Sequence, residues 1–185
     1  MKINFPEIGV CGLSCRFCPT YHTNSKSRCG GCKSECRMAV GCPFITCAVK
    51  KAQIEFCWDC VESTTCEKWA KHRELGKTHD SFKCYQKLES DISFIKSEGV
   101  IKFEKLQITR ERILKEMLNE FNEGRSKSFY CIASTILEID ELKKILSKAK
   151  ELSNGMNMQD KSKVMHSLIN SVAKEKNYYL KLRKK

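Results

Sequence analysis

Closely spaced cysteines carry the chemistry legible in this chain. Eleven of the thirteen fall between Cys11 and Cys66, and three Cys-x-x-Cys pairs stand out: Cys15/Cys18, Cys29/Cys32 and Cys57/Cys60. Two intervening residues let both sulfurs of one tight turn face a single cation. Two such pairs close a thiolate tetrahedron around zinc, or hold corners of an iron–sulfur cluster. Cys15, Cys18, Cys29 and Cys32 follow the Cys-x2-Cys-x10-Cys-x2-Cys spacing of a zinc knuckle or ribbon. Gly30 and Gly31 let the second turn wrap closely around the ion. Cys57 and Cys60 supply half of a second site; its other half is expected from Cys47 and Cys66, with Cys42 in reserve. Cys11 is a further candidate ligand. Cys36 reads as a small buried apolar residue, and Cys84 and Cys131 as packing residues on helices.

The opening Cys11-Gly12-Leu13-Ser14-Cys15-Arg16-Phe17-Cys18-Pro19 also matches a Cys-x3-Cys-x2-Cys string. That spacing resembles the cluster-binding loop of the radical S-adenosylmethionine enzymes, which implies thiolates on three irons of a four-iron cluster with the remaining iron open to the cofactor. Those enzymes follow the loop with a large βα barrel. Here more cysteines follow, then helical patterns without alternating strands. Taken together, Cys11-Gly12-Leu13-x-Cys15-x-x-Cys18-Pro19, Cys29-Gly30-Gly31-Cys32, Phe56-Cys57-Trp58-Asp59-Cys60 and Cys66-Glu67-Lys68 resemble an uncharacterised cysteine-rich family of unknown function. The resemblance covers about residues 8–75. The chain departs from it at Thr64-Thr65, where Phe-Pro is expected, and at the additional Cys36. It implies a metal-binding module and no particular activity.

Structural zinc in four-cysteine sites, within a module that meets a protein partner, is therefore the leading reading, and an iron–sulfur protein with a redox or cluster-carrier role is the alternative. No acid–base constellation accompanies the cysteines: Glu55 and Asp59 read as solvated surface, and His22 as a loop histidine that could replace a thiolate. The chain thus leans away from an enzyme. Outside the cysteines, Arg125, Ser126, Lys127 and Ser128 form a polar cluster at an expected helix start, a possible anion site. An ordinary cap at Ser126 is its alternative.

These residues must be positioned by two kinds of structure. Few large apolar residues surround the cysteines, so a small, irregular, metal-stapled lobe is expected over residues 1–78. Residues 79–185 read as a mainly α-helical region. Asp80 is expected to cap a helix running to Gly99, with Phe82, Tyr85, Leu88, Ile92 and Ile95 on one face. Further helices are expected over 101–122, from Asp140 to Gly155, and over 159–182 with Val164, Leu168, Ile169 and Val172 inward; the short apolar run Phe129–Leu137 reads as a buried helix, favoured by its helical flanks, or a strand. Lys181, Arg183, Lys184 and Lys185 read as an unpaired basic tail. The formal charge of +12 is spread along the chain. Nucleic acid is thus a possible partner, although a lysine-rich solvated surface explains the composition equally. No secretory signal or membrane-length apolar run is visible, so a cytoplasmic, reducing compartment and free thiols are expected.

Overall fold

The computed structural model of the chain describes residues 2–26 and 28–184, with the backbone alone for Cys36 and Val40. The expected burial of Cys36 lies outside that description. The described chain is mainly helical, and its extended pairing is limited to one antiparallel bridge between Ile8 and Ser14. Its helices are α1 (Glu35–Val40), α2 (Pro43–Ile45, continued by a π-helical turn over Thr46–Lys51), α3 (Glu67–Thr78), α4 (Leu88–Glu98), α5 (Val100–Glu120), α6 (Lys127–Ile136), α7 (Ile139–Leu152) and α8 (Met158–Glu175). The chain divides into two compact units, 1–104 with 183–185, and 105–182. The sequence boundary at 78/79 marks where the cysteines thin out. The structural boundary falls later, because α3, α4 and the start of α5 supply the apolar surface that the cysteine loops lack.

Three small clusters form that core. Ile8 and Phe56 pack with Ile95 and Phe103; Leu13 packs with Trp69, Leu88 and Ile92; Val10 packs with Ile45 and Ala48. Each joins residues from separate segments, so the irregular backbone is pinned at several points. At Gly12, φ is +101°, and a Cβ there would stand 3.0 Å from Ile92 and 3.1 Å from Leu88. Only glycine permits that conformation and that close approach of the Cys11 loop to α4.

Several expected elements shift. Residues 80–87 are irregular, and α4 begins at Leu88. The Asp80 carboxylate accepts the Tyr85 N–H at 2.6 Å instead of capping a helix. It also accepts Nε of Arg183 at 2.9 Å, while the Arg183 carbonyl accepts the Asp80 N–H. Arg183 is thereby paired, unlike the free tail expected from composition. Phe82, expected on an inward face, is 60% exposed. The run from Cys66, whose sequence predicts a short helix stopped near Gly76, forms α3, which continues through Gly76 with its backbone packed against Leu88 and Tyr85.

The second unit is a helical assembly with Leu114, Met117, Phe121, Tyr130, Leu137, Leu142, Met165 and Ile169 fully buried. Glu138 and Glu141 form a reciprocal capping box that starts α7, and Asn157 caps α8 through the Asp160 N–H. The inward stripe of α8 is Met165, Ile169 and Ala173; Val164, Leu168 and Val172 are half-buried beside it.

Candidate metal centre

Ser14 starts the first cysteine turn. Its hydroxyl accepts the Arg16 N–H, and the Cys18 N–H returns to the Cys15 carbonyl at 3.0 Å. Cys57–Cys60 repeats the turn, with the Cys60 N–H on the Cys57 carbonyl at 3.3 Å. In both, the backbone bond spans the two intervening residues and brings the paired side chains to one side. Gly31 holds φ at +97°, and a Cβ there would meet the Pro6 carbonyl at 3.2 Å and the Cys15 sulfur at 3.8 Å. Its bare backbone thus lets the Cys29–Cys32 segment come alongside Cys15.

The thiols fall into two groups. Cys15, Cys18, Cys29 and Cys32, with Cys42, line a cavity of about 190 Å³ that also receives Lys83 and Phe82. Cys47, Cys57, Cys60 and Cys66 line a second, of about 40 Å³, beside Trp69 and Phe44. Cys11 belongs to neither wall. Its sulfur and that of Cys32 flank Gly9, and it packs with Cys57 and Cys66 around Leu13 and Trp69. Cys84 and Cys131 are buried and line neither cavity.

The first group is electrostatically uneven. Hydrogen bonding with Cys32, helped by nearby Lys83 and opposed by burial, holds the Cys15 thiol below its ordinary range. Cys32 is pushed up correspondingly, first by that hydrogen bonding and then by burial. In the second group, burial and the neighbouring thiols raise Cys57 to about 12. Among the described residues, no group of three or more His, Cys, Asp or Glu side chains is arranged to hold a metal ion. The thiols ring a space rather than meet at a point. As donors, buried soft sulfurs beside a cation fit a thiophilic metal.

Side chains that read as surface in the sequence support these walls. Glu55 accepts the Lys33 ammonium at 2.8 Å and the backbone N–H groups of Asn4 and Phe5. Lys33 stands 3.9 Å above the Phe56 ring. This ties the residue after Cys32 to a residue two before Cys57. Lys83 reaches the Ser14 carbonyl at 3.0 Å. In the sequence, Lys33 and Lys83 are two lysines among many, each next to a cysteine, and no local pattern marks them as buried. His22 bonds the Arg16 carbonyl through Nε2, which fixes it within its loop. His72 lies between Phe44 and Tyr85, with Nε2 buried and unpartnered among the described residues.

The polar cluster at 125–128 has its own partner. Ser126 takes the N-cap position of α6, yet its side chain caps no backbone N–H. Its hydroxyl donates to Glu123 at 2.7 Å, and His166 Nε2 lies 2.6 Å away. Ser162 also donates to Glu123. Ser126 thus bridges Glu123 and His166. Arg125 and Ser126 line an open cavity of about 620 Å³ with Glu123, Lys163 and His166. Lys127 and Ser128 do not line it. The Glu123 carboxylate stands at this helix start.

No protein-family model, curated protein or solved structure matches the chain. Among the described residues, no helix is long and apolar enough to cross a membrane.

Proposed function

We propose that the chain is a metal–thiolate binding module, with zinc held by Cys15, Cys18, Cys29 and Cys32 in one site and by Cys47, Cys57, Cys60 and Cys66 in the other. The observation that carries this reading is the sorting of these thiols onto the walls of two separate cavities. Zinc closed by four thiolates has no open position for substrate and supplies conformational stability. The reading is accordingly a binding role, with the metal holding the loops of residues 11–66 in a surface fit for a protein partner. An iron–sulfur reading draws on one further observation: Cys42 gives the first cavity a fifth thiol.

Metal analysis of protein purified without oxygen tests both. Zinc predicts colourless protein with about two equivalents bound, of which Cys32→Ser and Cys60→Ser each lose a different one. An iron–sulfur centre predicts brown protein with iron and acid-labile sulfide. Preparations that hold neither metal, and that take up neither on reconstitution, would overturn the proposal.

A further inference from the structure

Three cationic side chains of the described residues are buried: Arg16, Lys33 and Lys83. Two have carboxylates. Arg16 pairs with Glu7 at 3.3 Å and Glu104 at 3.2 Å, and Lys33 pairs with Glu55 at 2.8 Å. Lys83, only 8% exposed, pairs with none among the described residues. Its hydrogen bond goes to one neutral acceptor, the Ser14 carbonyl, at 3.0 Å. An ammonium has three N–H donors, and burying one without a counter-charge is costly. Lys83 lines the first cavity with Cys15, Cys18, Cys29, Cys32 and Cys42; the other cation on that wall, Arg37, is exposed.

We infer that Lys83 is the built-in counter-cation of the first cavity, a positioning residue that offsets the charge of the metal centre formed there. This rests on the metal–thiolate reading above. Four thiolates around a divalent ion leave a net dianion, which a buried site accommodates only with compensating charge. Lys83 supplies it from the cavity wall. By gripping the Ser14 carbonyl, it also fixes the residue before Cys15, so that charge and turn are held by one side chain. The second cavity is lined by Lys68, an exposed residue, and has no buried cation of this kind.

The test uses the full chain, reduced and metal-free, with zinc and then cobalt as probes. Zinc affinity is measured by competition with a chromophoric chelator for wild type, Lys83→Met and Lys83→Arg. Lys83→Met should weaken one zinc equivalent by about 10–100-fold, the scale on which supporting residues act on metal affinity, and leave the other unchanged. The cobalt–sulfur charge-transfer band should fall for that site alone, and Lys83→Arg should restore most of the affinity. Wild-type affinity at both sites in Lys83→Met would overturn the inference. Equal weakening of both sites, or no rescue by arginine, would assign Lys83 to general packing and overturn it as well. Should Lys83→Met fail to fold, Lys83→Gln compared with Lys83→Arg makes the same measurement. Wild type that binds neither probe would sink the metal reading itself, an outcome distinct from failure of Lys83 alone.

Discussion

Glu55 gathers three donors onto one carboxylate, from Asn4, Phe5 and Lys33. Burial by itself would raise its pKa, but the Lys33 ammonium and the two N–H groups outweigh that and hold it below the ordinary 4.5. Glu55→Gln leaves the fully buried Lys33 side chain without a charge partner, and should cost about 3 kcal/mol in urea unfolding. Because the folded-state carboxyl is depressed, its contribution is complete above about pH 4.5 and declines as pH falls through the folded value. The deficit of the variant should shrink over that acid range. Glu123 behaves alike in the second unit. Burial opposes ionisation slightly, while the Ser126 and Ser162 hydroxyls bring it down to about 2 from 4.5. The group is exposed, so solvent screening leaves about 1 kcal/mol. Glu123→Gln should lose that amount at neutral pH, with the difference from wild type vanishing between pH 4.5 and about 2. A deficit that persists unchanged in acid would assign the effect to side-chain packing.

At the scale of elements, α4 is the platform of the first unit. Ile92 and Leu88 meet the bare Gly12 backbone, and Ile95 meets Ile8, Phe56 and Phe103. A methyl group at Gly12 would bring both a disfavoured φ and contacts near 3.0 Å with α4. Gly12→Ala should therefore destabilise the first unit by about 2 kcal/mol, read as a lower urea midpoint with unchanged slope. The same change should shift metal affinity little, since it strains the loop behind Cys11 and not the cavity walls. Unchanged stability would show that the loop relaxes away from α4. In the second unit, α6 starts on Ser126 without a side-chain cap, because that hydroxyl is committed to Glu123 and His166. The ordinary role of a serine before a helix has yielded to a buried polar cluster that joins α6 to α8 through Ser162.

The whole molecule is two compact units with different sources of order. The second unit buries large apolar side chains from each of its helices. The first buries small clusters between loops, and its thiols surround space. Removing metal with a strong chelator under reducing conditions should accelerate amide exchange over residues 11–66, while α6, α7 and α8 keep their protection. Slow exchange in the cysteine loops after complete metal removal would show that the apolar clusters suffice.

The cysteine pairs and the helices were legible in the sequence because both depend on local spacing. Two residues between cysteines make a tight turn wherever they occur, and a repeat of about 3.6 makes a helix face. That locality is why α5, α6 and α7 lie close to where periodicity puts them. Local pattern was insufficient where the deciding partner lies far along the chain. Asp80 looks like a helix cap until Arg183 arrives from 103 residues away. Glu55 looks solvated until Lys33 and the N-terminal backbone reach it, and Ser126 looks like a cap until Ser162 and His166 come from α8. Lysine is the sharpest case. The energy of a buried ammonium depends wholly on which charges stand near it, and lysine composition carries no such information. Tertiary structure alone takes Lys83 out of a basic surface and puts it among five thiols.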